Sequence, residues 1–260
     1  MWKRIKKHLK NKITPEKFLL LLLIITSAYF RFYNLDWDMG NLFHPDERNI
    51  ANAVTKIQFF SQLNPGFFAY GGLSIYLYRL TGDILQFIAQ DPQWTMSWGH
   101  INVIGRFFSA FFSTMTLIPL YFLGKKIAGE KVSLLACTFF TFTVSSIQTA
   151  HYAVTESFIT LVIVSICAVT LNIKKHNVFN SFLIGALLGI GAAAKTTSVS
   201  FIIVPAIAYL PYLFHLRKNL LKFGYLFFTI LIAFIFFTSL SPYTYLDSQK
   251  FLESMRYEQG

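Results

Sequence analysis

The sequence predicts an all-α polytopic membrane protein with about seven transmembrane helices, because its composition is that of a chain folded in a bilayer. Of the 260 residues, 54% are hydrophobic and only 13% are charged, with 29 Phe and 13 Tyr. The mean hydropathy is +0.49. Soluble domains carry about a quarter charged residues, so these values exclude a disordered chain, a coiled coil and a collagen-like array, and they indicate that the bilayer is the solvent.

Seven apolar segments are long enough to span a bilayer when their polar flanks reach the interface. The first follows a basic tail and lacks a small-residue cleavage site, so we interpret it as a retained span behind a cytoplasmic N-terminus rather than as a signal peptide. The predicted spans cover residues 15–35, 102–124, 132–148, 157–173, 180–194, 198–214 and 222–240.

Residues 73–89 repeat apolar side chains every 3.6 residues but carry Arg79, Asp83 and Gln86 on the other face. Each charge costs about 2.5 to 3.5 kcal/mol at the centre of a membrane helix, so the pattern favours an amphipathic helix lying in the interface. The Lys and Arg clusters of the later loops then fall on the cytoplasmic side, as the positive-inside rule requires. The net charge of +11 is therefore explained by topology, and no nucleic-acid partner is expected.

This topology divides the chain into four parts. A basic cytoplasmic tail (1–14) is followed by a long first outer loop with interfacial amphipathic helices (36–100) and then by a helical bundle (102–240). Residues 241–260 begin a further outer segment that stops within an amphipathic pattern, so we expect the N-terminal module of a longer protein. The first outer loop, the turn at 148–156 and Lys195 all meet at the outer face.

The acidic candidates on that face are Asp46, Glu47 and Glu156. Asp46 and Glu47 follow Pro45 and precede apolar residues at helical spacing, so they open a helix, where a carboxylate also serves as a cap. Glu156 opens a predicted span, where capping and a functional role fit the pattern equally. With His44, these acids also offer ligands for a divalent metal, although their spacing defines no clean ligand set.

The basic candidates are Lys195, Arg106 and Arg31, all at predicted outer membrane depth. A charge there needs an anionic partner or must extend to the interface, and a lipid phosphate is such a partner. His151 lies beside them and is interpreted as an interfacial hydrogen-bonding residue of the same lipid-phosphate site rather than as a metal ligand. Membrane lipids are therefore expected partners.

Five segments in this order resemble the GT-C membrane glycosyltransferases, in particular the dolichyl-phosphate-mannose protein mannosyltransferases (family 39 type) and their bacterial relatives that use polyprenyl-phosphate sugars. No single segment is specific, but their order and their predicted side of the membrane are. The segments are Asp46-Glu47, GRFFSAFFSTMTLIPLYFLGKKIAG (105–129), HYAVTES (151–157), AAAKTTS (192–198) and SPYTYLDSQKFL (241–252).

The resemblance implies an inverting transfer of sugar from a polyprenyl-phosphate donor to a protein, lipid or glycan acceptor at the outer membrane face. It implies that Asp46 is the base, with Glu47 as its neighbour or alternate, and that Lys195 and Arg106 neutralise the leaving phosphate. Glu156 would be a second acid, and some relatives also use a divalent metal. This chain departs from the family in having fewer spans and GFFAYGGLSIYL (66–77) where many relatives have paired prolines.

Two other functions stay open on the sequence. A lipid-linked sugar transporter, or flippase-like protein, also places charges at membrane depth, but it needs a polar path to both faces, and Asn172 is the nearest candidate at the inner side. A non-catalytic fragment of a longer enzyme would keep the fold and lose turnover.

Overall fold

The structure is a computed structural model that describes residues 14–171, 177–213 and 220–259, and these residues contain helices and no strand. The all-α prediction is therefore confirmed. Three of the predicted cytoplasmic basic clusters (1–13, 174–175 and 217–218) and Asn172 lie outside the described residues.

The helices follow one another with short connections, and most of the predicted spans correspond to one or two of them. A 3₁₀ helix covers Thr196–Ile202. The α-helices are α1 (Pro15–Phe32), α2 (Pro45–Lys56), α3 (Gly72–Ala89), α4 (Gln93–Met96), α5 (Trp98–Met115), α6 (Leu117–Ala128), α7 (Glu130–Phe142), α8 (Val144–Ala150), α9 (Glu156–Thr170), α10 (Val178–Ala194), α11 (Ile203–Leu213), α12 (Leu220–Leu240), α13 (Tyr243–Leu246) and α14 (Ser248–Gln259).

Among the described residues, one helical stretch is by itself long and apolar enough to cross a membrane. It is Trp98–Ala128, which joins α5 and α6 over 31 residues. Shorter apolar helices occupy Glu156–Thr170, Val178–Ala194, Thr196–Leu210 and Gly224–Leu240. Large apolar side chains such as Phe18 and Phe234 remain exposed, as expected for a surface that faces lipid. The count of seven spans stays a prediction.

The third predicted span is bent rather than straight. Helices α7 and α8 meet at an angle of 57° and qualify as a membrane span only when they are taken together. The bend lies at Thr143, whose extended backbone (φ −66°, ψ 116°) separates the two helices. The span predicted over 132–148 therefore corresponds to this bent pair of helices.

Three clusters of buried side chains hold the helices together. The first joins α2, α3 and α5 through residues such as Ile50, Ile75 and Ile104. The second joins α1, α6 and α7 around Leu117 and Cys137, and the third joins α9 to α10. Both cysteines are free thiols, so no disulfide contributes.

Helices α10 and α12 pack at backbone contact because glycine occupies the contact face of α10. A Cβ at Gly185 would lie 2.5 Å from the Thr229 carbonyl oxygen, and one at Gly189 would lie 2.3 Å from that of Ala233. Small residues four apart on one face are the usual means of close helix packing in membranes. This contact fixes the C-terminal end of α10, where Lys195 follows.

Residues 36–100 contain both helices that the periodicity predicts. In α2, the apolar positions Ile50 and Val54 are fully buried, as the spacing after Pro45 indicates. In α3, Arg79 and Asp83 form an ion pair of 2.9 Å one turn apart, while Ile75 and Tyr78 face the protein. Helix α3 does not qualify as a candidate span, although its position in the interface stays a prediction.

Candidate active site

Arg106 organises the end of the helices where the predicted site residues meet. Its side chain is 1% exposed, and all five of its N–H donors are used. Nε and Nη2 donate to the two oxygens of Glu47, each at 2.8 Å, and Nη1 and Nη2 donate to those of Asp38 at 2.9 and 2.7 Å. Nη1 also donates to the Leu35 carbonyl at 3.0 Å, and the guanidinium lies over the Trp37 ring. Both carboxylates pair with the same buried cation.

Asp38 shapes the turn that precedes α2. Its carboxylate accepts hydrogen bonds from the Gly40 and Leu42 amides at 3.1 and 3.0 Å, in addition to those from Arg106. These bonds, led by the one from Arg106, hold the pKa of Asp38 below its ordinary value. Asp38 therefore stays ionised, and paired with Arg106, to a lower pH than an ordinary aspartate would.

Glu47 connects α2 to the turn that precedes α9. The side chain is fully buried, and Oε1 accepts the Ala153 amide at 2.7 Å while it also binds Arg106. This close approach depends on Gly105 in α5, because a Cβ there would lie 2.4 Å from the Ala153 Cβ. Glu47 thus ties α2, α5 and residues 151–155 together.

Asp46 points away from this buried network, although it is the neighbour of Glu47. Its side chain is 41% exposed, and its carboxylate accepts no hydrogen bond from the described residues. His44 caps α2, because its Nδ1 accepts the Asp46 amide at 3.3 Å. That acceptor role makes Nδ1 the unprotonated nitrogen, so its 3.9 Å separation from Asp46 Oδ2 is not an ion pair in this tautomer. The Asp46 carboxylate is left available to a ligand.

Residues 151–156 connect the start of α2 to the ion pair between Lys195 and Glu156. The rings of His44 and Tyr152 lie 4.6 Å apart, and Ala153 binds Glu47. Three residues later, Glu156 Oε1 accepts a hydrogen bond from Lys195 Nζ at 2.8 Å. Three residues of chain span at most about 11 Å. The structure therefore brings Glu156 and Lys195 close to the start of α2.

Lys195 is held by several neighbours without being enclosed. Its side chain is 27% exposed, and its ammonium lies 5.0 Å from the centre of the Tyr70 ring. The adjacent Ala194 carbonyl accepts the Gly71 amide at 2.9 Å, which docks the start of α3 against the end of α10. A half-buried cation with a partly exposed partner is well suited to bind a second anion.

Arg31 and His151, which the sequence predicts at the phosphate site, both bind protein acceptors. Arg31 is fully buried and donates to Ser113 Oγ (2.7 Å), to Ser27 Oγ (2.8 Å) and to the C-terminal carbonyls of α7. The His151 ring nitrogens face the Ile147 and Tyr33 carbonyls at 2.8 and 2.9 Å. In this structure both residues join helices, and so does Arg106, whose donors are all occupied.

The possible metal ligands are not brought together. Within the part of the chain that the structure describes, no three His, Cys, Asp or Glu side chains lie close enough to hold a metal ion. The physical reason is that Glu47 turns inward to Arg106, whereas Asp46 faces outward and Glu156 binds Lys195.

Asp38 is the member of the site that the sequence analysis misses. Its local signal is an Asp two residues before Gly40, which is typical of a turn that the aspartate side chain closes. Nothing local indicates its pairing with Arg106, which lies 68 residues away.

Two groups of ion pairs therefore lie among the apolar helices, Arg106 with Asp38 and Glu47, and Lys195 with Glu156. The sequence model of the family described as dolichyl-phosphate-mannose-protein mannosyltransferase matches residues 98–243, which is more than half of the chain. The chain belongs to this family, and the family points to a membrane glycosyltransferase of the mannosyltransferase type. The match includes Arg106, Glu156 and Lys195 but not Asp46 or Glu47. Comparisons with curated proteins and with solved structures found no match.

Proposed function

We propose that this protein transfers a sugar from a polyprenyl-phosphate donor to an acceptor hydroxyl at the outer face of a membrane, with inversion at the anomeric carbon. The observation that carries the proposal is the opposite placement of two adjacent acids. The Glu47 carboxylate accepts hydrogen bonds from Arg106 and Ala153, whereas the Asp46 carboxylate stays accessible at the start of a capped helix.

The proposed reaction is a single displacement. Asp46 accepts the proton of the acceptor hydroxyl as that oxygen bonds to the anomeric carbon. The bond from this carbon to the phosphate oxygen breaks, and its electron pair stays on the lipid phosphate. Lys195 neutralises the charge that develops there, because its side chain is 27% exposed and its ammonium binds one oxygen of Glu156. The acceptor is a protein, lipid or glycan hydroxyl.

The roles proposed for the other sequence candidates are those of positioning residues. Arg106 and Glu47 hold α2 so that Asp46 faces the site, and Arg31 and His151 hold α1 against α7 and α8. Glu156 orients Lys195 and stands beside the sugar.

The topology belongs to the same proposal. A multi-pass chain with seven spans, a cytoplasmic N-terminus and α3 in the interface puts Asp46, Glu156 and Lys195 on the outer side. The exposed apolar surfaces of α1 and α12, exemplified by Ile25 and Phe227, would then contact lipid.

The experiment is a transfer assay on membranes that contain the full gene product. A panel of radiolabelled polyprenyl-phosphate monosaccharides is offered, and release or transfer of label is compared with membranes lacking the protein. We expect one donor sugar to be consumed by the wild type and none by Asp46→Asn. Equal consumption by both proteins would overturn the proposal.

A further inference from the structure

A polar cavity of about 200 Å³ lies directly beside Glu156, at the bend between α7 and α8. Helices α5, α8 and α9 contribute its polar wall, and the apolar wall includes Phe140. Its volume leaves room for about six waters. The hydroxyl groups that line it belong to Ser113, Ser145, Ser146, Thr149, Ser157 and Thr160.

Glu156 lines this cavity and has one carboxylate oxygen without a partner. Oε1 of Glu156 binds Lys195, but Oε2 is buried and accepts no hydrogen bond from any described residue. Leaving a buried charged acceptor unpaired is costly, so such atoms in native proteins normally meet water or a ligand. We therefore expect a bound molecule to donate a hydrogen bond to Oε2.

The hydroxyls supply both kinds of hydrogen-bonding group. Ser113 Oγ accepts from Arg31 Nε at 2.7 Å, so its own proton points elsewhere. Thr149 and Thr160 donate to helix carbonyls at 2.7 and 2.9 Å, which leaves their oxygen lone pairs to accept. A metal ion needs only acceptors and an anion needs mainly donors, whereas this lining suits a molecule with several hydroxyl groups.

The position of the cavity agrees with this chemistry. Broken helices at membrane depth commonly line binding sites, because the bend exposes polar groups to a cavity rather than to lipid. Lys195, the cation proposed for the donor phosphate, binds the same carboxylate whose second oxygen is unpaired. A ligand that combines a phosphate with a polyhydroxyl ring would satisfy both groups at once.

We propose that this cavity binds the sugar ring of the lipid-linked donor and sets the sugar specificity, with Glu156 Oε2 accepting hydrogen bonds from ring hydroxyls. The inference rests on the proposed function. It assigns to Glu156 a direct contact with the substrate and to Ser146 and Thr149 the discrimination between sugars.

The test compares the binding of two lipids to the purified full-length protein in nanodiscs. One is the donor found in the transfer assay, and the other is the same polyprenyl phosphate without sugar. The wild type should bind the sugar-bearing lipid more tightly. Ser146→Ala should shrink this preference about five- to tenfold, the loss of one or two hydrogen bonds, while the affinity for the bare lipid stays constant. Glu156→Gln should shrink the preference, taken as the ratio of the two affinities, by a similar factor, and it should also change the affinity for the bare lipid because Glu156 pairs with Lys195.

Ser165→Ala is the matched control, because Ser165 lies on the same helix, α9, but outside this cavity. Its hydroxyl donates a hydrogen bond to the Leu161 carbonyl of its own helix, as the Thr160 hydroxyl does to the Glu156 carbonyl. Ser146 is only half-buried, so its variant keeps the test decisive if Glu156→Gln misfolds.

A preference that is unchanged in both variants, while the wild type turns over the donor, overturns the sugar cavity alone. A wild type that neither binds nor consumes any donor overturns the proposed function as well. Variants that alter only the choice among glycan acceptors would assign the cavity to the acceptor and overturn the donor assignment.

Discussion

Arg106 and Glu47 bind each other through two parallel hydrogen bonds of 2.8 Å, and both side chains are almost completely removed from solvent. Their pairing joins α5 to α2 across 59 residues of chain. With Asp38, it forms a buried three-membered charge network beneath the exposed Asp46 carboxylate.

Replacing Arg106 with Met should be severely destabilising. Asp38 and Glu47 would remain buried without their counter-charge, and removing one partner of a buried ion pair costs about 3–5 kcal/mol. The loss is measured as the change in the free energy of unfolding in detergent. Lys250→Met is the control, because Lys250 is 65% exposed and 3.6 Å from Asp247, and it should cost less than about 1 kcal/mol. Equal effects of the two changes would show that the network contributes nothing to stability.

Stability should fall in acid because of Asp38. Its pKa is lower in the folded protein than in the unfolded chain, where it is about 3.9. The stabilisation it supplies is therefore complete above about pH 4 and is lost as the pH falls through its folded pKa. Free energies of unfolding measured from pH 3 to pH 7 should slope less for Asp38→Asn than for the wild type. Parallel curves would contradict this assignment.

Gly105→Ala should disturb the site without touching a charged residue. The added Cβ would overlap that of Ala153, whose amide binds Glu47, so we expect a loss of about 1–3 kcal/mol in unfolding free energy and reduced turnover. Ala153→Gly should restore part of both in the double variant. Gly224→Ala, where a Cβ meets open space, should be neutral or slightly stabilising. A Gly105→Ala variant indistinguishable from Gly224→Ala would refute the close-contact argument.

Lys195→Met should weaken donor binding. A charge-assisted hydrogen bond to phosphate would be lost, which raises the dissociation constant of the lipid-phosphate donor about 10- to 100-fold. Lys195→Arg should retain most of the affinity, and Lys250→Met should retain all of it. Titration of each variant with the donor in nanodiscs measures the change, and wild-type affinity in Lys195→Met would remove Lys195 from the site.

The sequence predicts the helices of this fold better than their contacts. The apolar spacing after Pro45 predicts α2, because the residues that a helix buries recur in the sequence at helical spacing. The bend at Thr143 has no such sequence signal, since neither Gly nor Pro lies there and the hydropathy continues across it. A window of hydropathy detects length and composition, but it does not detect a change of direction.

The candidate site divides in the same way. The residue types of Asp46, Glu156 and Lys195 predict a polar site at membrane depth from the sequence alone. Which acid of the adjacent pair turns inward depends on Arg106, and the partnership of Asp38 with Arg106 spans 68 residues. Such pairings are set by packing between distant segments, so a single sequence carries no local sign of them.

In the proposed mechanism the adjacent acids have separate tasks, Asp46 in the chemistry and Glu47 in the scaffold. The most direct measurement is the turnover of the donor by Asp46→Asn and Glu47→Gln, alongside donor affinity and unfolding free energy. We predict that Asp46→Asn loses about 10²- to 10⁴-fold in turnover with donor affinity and stability unchanged, whereas Glu47→Gln loses stability. Wild-type turnover by Asp46→Asn in a folded protein that binds the donor would contradict the account.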